Sequence, residues 1–159
     1  MNKHMDQLMT LMGEQGFDAL ALNPGQSLVY LTGLHFHLME RPTVLIVNHT
    51  GDAAVILPEL EQGKLAVEAV GFRAFTYSDD PAAWPGVFDR AANVLGLKGG
   101  KLGVEPTRLR FLEIQYLRAA FPEMELADGG PALDALRIRK DEAYKTSMPS
   151  SCMALSYSV

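Results

Sequence analysis

A chain of 159 residues, 48% of them apolar and 21% charged, suits one domain with a well-buried core. Its net charge of −5 argues against a nucleic-acid partner, which would need a basic face. The single cysteine, Cys152, excludes an internal disulfide and a cysteine-built zinc site. No apolar run nears membrane-spanning length, and Asp6 and Gln7 break any signal-peptide core, so no membrane partner and a cytoplasmic location are expected.

Met5, Leu8, Met9 and Met12 recur at helical spacing and predict a helix over residues 3–15, capped by Gly16. Asp18 to Leu22 is a short apolar run ended by Asn23-Pro24-Gly25, which reads as a buried strand. Gln26 to Leu31 reads as a short helical turn closed by Gly33. Pro42 to Asn48 and Ala53 to Leu57 are β-branched, apolar runs around the turn string Asn48-His49-Thr50-Gly51-Asp52. They predict an antiparallel hairpin, and their lack of clean alternation predicts cover on both faces.

Glu59 to Val70 reads as a helix weakened by Gly63 and ended by Gly71, and Phe72 to Tyr77 as a strand. Trp84, Val87, Phe88, Ala91, Ala92 and Leu95 mark a helix that starts near Pro85 and stops at Gly96. A strand over Lys101–Glu105, a helix through Leu109, Leu112, Tyr116, Leu117 and Ala120, and a strand over Glu123–Ala127 follow. Pro131 to Leu136 reads as a short helix running into a charged segment. There Arg137, Arg139, Lys140 and Lys145, interrupted by Asp141 and Glu142, suggest a solvated face. Alternating strands and helices point to an α/β sandwich, and the hairpin makes its sheet mixed.

Four groups of residues invite chemistry. His35-Phe36-His37 with Glu40 and Arg41 is the main polar constellation. Two histidines two apart project to one side of an extended segment, and Glu40 lies within reach as a third metal ligand. Three ligands at this spacing match no closed zinc motif, so an exposed polar loop is the stronger reading. The glycines Gly96, Gly99, Gly100 and Gly103 follow a helix and precede a strand, the wrong order for a phosphate loop, and read as a tight connection. Gly25-Gln26-Ser27 lacks the second glycine of a nucleophile elbow, since Val29 holds that place; Ser27 is expected to open the helical turn. Glu59, Glu61, Asp79 and Asp80 read as acids at helix starts, and Asp128 and Asp134 as caps around Gly129-Gly130-Pro131.

Several strings in fixed order carry a resemblance. They are Gly16-Phe17-Asp18-Ala19, Tyr30-Leu31-Thr32-Gly33, Glu40-Arg41-Pro42, Gly51-Asp52, Leu57-Pro58-Glu59, Leu102-Gly103-Val104-Glu105 and Leu136-Arg137-Ile138-Arg139-Lys140. Together they resemble the N-terminal domain of the creatinase, prolidase and Xaa-Pro aminopeptidase family, the pita-bread metallopeptidases, over residues 3–145. The resemblance implies a three-layer α/β/α sandwich around a mixed sheet with one antiparallel hairpin.

It also implies a non-catalytic domain of a Xaa-Pro dipeptidase or aminopeptidase-like hydrolase. In the family a second domain holds two divalent metals, commonly manganese, cobalt or zinc, on two aspartates, a histidine and two glutamates. None of these ligands can be placed here, so no cofactor, catalytic or metal residue is expected in this chain, and the missing C-terminal catalytic domain is its expected partner. Family dimers use the N-terminal domain to cover the neighbouring active site. That implies a substrate-access role for His35, His37, Glu40 and Arg41, with the Arg41 fork suited to a substrate carboxylate. Monomer and homodimer both stay open. So does a standalone binding or regulatory module with the same fold. Residues 146–159, polar and broken by Pro149, are expected to form a disordered or docked tail outside the family domain.

Overall fold

The computed structural model describes residues 3–65 and 71–147, and within the last helix the side chains as far as Ile138. Its strands are β1 (Ala19–Leu22), β2 (Val44–Asn48), β3 (Ala53–Pro58), β4 (Phe72–Tyr77), β5 (Lys101–Val104) and β6 (Glu125–Asp128). They form one sheet in the order β4-β3-β2-β1-β5-β6. Strand β2 runs antiparallel to both β1 and β3, and the remaining neighbours are parallel.

The helices are α1 (Lys3–Gln15), α2 (Gln26–Thr32), α3 (Trp84–Leu95), α4 (Phe111–Ala120) and α5 (Gly130–Ser147). One core joins Leu8 and Met12 of α1, Leu28 and Leu31 of α2 and Leu133 and Leu136 of α5 to Leu20, Leu22, Leu45, Val55 and Leu57 of the sheet. The other joins Val87 and Phe88 of α3 and Leu117 of α4 to Ala21, Ile46, Ile56 and Leu102 on the opposite face. Three layers result, as expected. Every residue of β2 and β3 is buried, which is why neither strand alternates in sequence.

The hairpin turn rests on Asn48. Its Oδ1 accepts from the backbone N–H of Thr50 at 3.1 Å and of Asp52 at 2.8 Å, while Gly51 takes φ 92°. On β5, Gly103 faces Leu20 of β1 so closely that a Cβ there would lie 2.4 Å from Leu20 Cδ2. The bare glycine lets this leucine fill the space over the parallel strands.

Three elements differ from expectation. The helix expected over residues 59–70 is a 3₁₀ segment at Glu59–Leu65, and residues 66–70 lie outside the described residues. Leu60 is 75% exposed and Gly63 interrupts the run, so no apolar stripe holds a full α-helix against the sheet. Helix α4 starts at Phe111, leaving Leu109 buried in the turn before it. The short helix expected over Pro131–Leu136 continues as α5 through Ser147, past the charged segment. Its first half packs on α1 and the sheet, and helix formers carry it on; Pro149 lies outside the described residues.

Candidate functional site

The segment from Gly33 to Thr43 crosses from α2 to β2, and its fixed points come from across the fold. Gly33 adopts φ 74° and its N–H bonds Val29 O at 2.7 Å, which stops α2. Thr32 Oγ1 donates to Leu28 O at 2.7 Å and accepts from Leu34 N–H at 3.0 Å, which turns the chain outward. Leu34 and Phe36 then enter the core while His35 and His37 point to solvent, the alternation of an extended segment. The Lys64 ammonium stands 5.9 Å from the centre of the Phe36 ring.

Further on, three side chains hold the backbone. Arg110 Nη1 donates to Met39 O at 2.6 Å. Tyr77 donates its hydroxyl to Pro42 O at 2.6 Å. Arg41 pairs with Asp79 at 3.1 Å. Arg110 is itself fixed by Glu113, whose fully buried carboxylate takes the Arg110 fork and, at 3.1 Å, its backbone N–H. Burial pushes the Tyr77 hydroxyl well above its usual range; Glu113 and Asp79 add to the effect, and Arg41 and Arg110 oppose it. Tyr77 is therefore a hydrogen-bond donor throughout the neutral range.

The loop stands as a ridge between two hollows. One, of about 800 Å³, is lined by His37, Glu40, Arg41, Arg110 and the exposed Leu38, Met39 and Leu60. The other, of about 590 Å³, is lined by His35 with Gly25, Gln26, Tyr30 and Arg108. The four expected site residues are thus divided. His37, Glu40 and Arg41 share a hollow, and His35 faces the other. Arg41 already has an acidic partner, although both groups are part-exposed and such a pair exchanges readily for about 1 kcal/mol or less. Among the described residues no group of three or more His, Cys, Asp or Glu side chains converges as a metal site.

Arg108, Arg110, Tyr77 and Glu113 were not legible as site residues. In sequence, Arg110 and Glu113 show only the spacing of an i,i+3 ion pair at a helix start.

Other polar residues take structural places. Ser27 does not open α2; Gly25 is its N-cap residue, with no side-chain cap. Ser27 Oγ instead donates to Glu105 Oε1 at 2.9 Å and accepts from Arg137 Nη2 at 2.8 Å. Arg137 also meets Glu105 at 3.4 Å and Asp134 at 3.2 Å, so it is tied to the sheet and does not merely face solvent, and Asp134 is its partner and not a cap. Asp128 does cap α5, accepting Gly130 N–H at 2.7 Å, and Asp80 caps the 3₁₀ turn Pro81–Ala83 through Ala82 N–H at 3.0 Å. Gly96, Gly99 and Gly100 have φ of 63°, 75° and 88°, a tight connection as expected.

The model of the Creatinase/Prolidase N-terminal domain matches residues 4–139. No curated protein sequence matches the chain. Among solved structures, a dipeptidase from Pyrococcus horikoshii OT3 is similar with a TM-score of 0.73 at 24% identity, over 84% of this chain and 36% of that one. Dipeptidase PepE from Mycobacterium ulcerans is similar with a TM-score of 0.70 at 23% identity, over 85% and 36%. The Creatinase/Prolidase N-terminal domain of an X-Pro dipeptidase from Streptococcus pyogenes has a TM-score of 0.71 at 20% identity, over 85% of this chain and 99% of that one. The chain thus spans little more than a third of the two full-length dipeptidases. At these identities the likeness establishes the fold.

Proposed function

Because the chain belongs to the Creatinase/Prolidase N-terminal domain family, we propose that it serves a metal-dependent Xaa-Pro dipeptidase or aminopeptidase-like hydrolase as its non-catalytic N-terminal domain. In this reading the two divalent metals, manganese, cobalt or zinc, and the reacting groups belong to a catalytic domain in a longer polypeptide. The present domain supports dimerisation and shapes substrate access. The cytoplasm is the proposed compartment, where a lone thiol such as Cys152 persists reduced.

One observation carries the access role: the 33–43 ridge is exposed at its tip yet pinned along its length. Leu34 and Phe36 anchor it below, while Arg110, Tyr77 and Asp79 hold Met39, Pro42 and Arg41. Leu38 and Met39, 41% and 62% exposed, stand at its crest beside His37 and Glu40 and offer a partner apolar surface rimmed by polar groups.

The test uses the longer polypeptide. Substituting His37→Ala and Glu40→Ala is expected to raise KM for a Xaa-Pro dipeptide severalfold and to leave the fold intact. Unchanged kinetics in both variants would reject the access role, and an inactive longer polypeptide of normal fold and metal content would reject the peptidase reading.

A further inference from the structure

The hollow on the other side of the ridge is bordered by a cation, Arg108, whose stem the fold holds in place. Of the arginines bordering the two hollows, Arg41 pairs with Asp79 and Arg110 with Glu113. Among the described residues nothing accepts a hydrogen bond from the Arg108 guanidinium, and no acid pairs with it. Packing holds its stem nevertheless. The side chain lies along Gly25, where a Cβ would come within 3.3 Å of Nε, 3.5 Å of Cζ and 3.6 Å of Cδ. Its backbone is fixed too, the Arg108 N–H bonding Glu105 O at 3.1 Å in the turn that leads out of β5.

A bare glycine thus supports a guanidinium whose N–H donors meet no acceptor among the described residues. Arginine matches a carboxylate with two parallel hydrogen bonds, a geometry that a lysine ammonium does not reproduce. His35 and Gln26 line the same hollow, and its volume of about 590 Å³ lies within the range of small-ligand sites. Val29 contributes an apolar wall for a short side chain.

We propose that this hollow binds a small carboxylate-bearing molecule, of the size of an amino-acid derivative, with Arg108 as the anchoring residue. Every residue involved lies in the present chain, so the assignment does not rest on the peptidase reading above.

The test is a titration of the whole 159-residue chain, followed by its backbone amide resonances. The probes are N-acetylproline, N-acetylproline amide and inorganic phosphate. N-acetylproline is expected to shift the Gly25, Gln26 and His35 amides saturably, and the amide analogue to leave them unmoved. R108Q is expected to weaken the response by about tenfold or more. R108K, which keeps the charge but loses the fork, is expected to weaken it less. R118Q, at an exposed arginine on α4, should behave as wild type. Non-saturable shifts, an equal response to the amide or an undiminished response in R108Q would overturn the proposal. So would a response to phosphate alone, which would assign the hollow to a different anion.

Discussion

Replacing Arg110 with alanine tests how the ridge is held. The Glu113 side chain is fully buried and receives Arg110 Nε at 2.9 and 3.2 Å, with a further contact from Nη2. Stripping the partner from a buried carboxylate costs about 3–5 kcal/mol. Two features reduce that figure here. The Arg110 side chain is 33% exposed, so water enters once it is gone, and Glu113 keeps the backbone N–H of residue 110 at 3.1 Å. Loss of the bond to Met39 O adds about 1 kcal/mol. The net expectation is about 2–3 kcal/mol, or a fall in Tm of about 5–10 °C for a domain of this size. Urea unfolding measures the first quantity and a thermal melt the second. The double variant R110M/E113L removes both charges and is expected to recover most of the loss, because no unpaired carboxylate remains. Yet it does not restore the Met39 anchor, so limited proteolysis near residues 37–41 should stay faster than in wild type. A double variant as unstable as R110A would refute the reasoning, since the buried charge would then not be the cause.

Gly103→Ala places a methyl 2.4 Å from Leu20 Cδ2 and 3.0 Å from two Phe17 ring carbons, all buried, and is expected to cost about 1–3 kcal/mol by urea unfolding. Trimming its neighbour with Leu20→Val should return part of that loss; no recovery would show that β5 itself, and not the Leu20 contact, is strained. For Tyr77, the folded hydroxyl titrates above the unfolded value of 10 because burial disfavours the phenolate. The raised folded value means that its contribution is fully present below about pH 10 and is lost as pH rises from there towards the folded pKa. Tyr77→Phe is expected to lower stability at pH 7 by about 1 kcal/mol and to flatten the fall in stability above pH 10. An alkaline fall of the same steepness in both proteins would assign it to other groups.

Much of the fold was legible because local patterns and tertiary demands agree. The stripe Val87, Phe88, Ala91, Ala92 and Leu95 needs one buried helical face, and α3 has it. The Asn48–Asp52 string has the turn chemistry that the β2–β3 hairpin uses. The 3₁₀ segment at Glu59–Leu65 was not legible, since its acids and Lys64 suit a helix and only the missing core face rules one out. The length of α5 was hidden for the converse reason: its second half carries helix-forming residues without an apolar stripe, so periodicity stops marking it near Leu136.

The candidate site was legible only as a loop. Sequence order places His35, His37, Glu40 and Arg41 together on one exposed, polar segment, and no folding event can separate them by more than the chain's reach. It also determined the alternation that buries Leu34 and Phe36, because that depends on neighbouring backbone alone. The partners of this segment come from far along the chain. Tyr77 lies 35 residues beyond Pro42, and Arg110 lies 71 beyond Met39. Tertiary structure alone decided that Asp79 engages Arg41, that Arg110 reaches Met39 O, that Ser27 meets Glu105 and Arg137, and that Arg108 has no acid beside it among the described residues. Hydrogen bonds and ion pairs act over about 3–4 Å, so which charges are satisfied is a property of the packed sheet and helices, not of residue order.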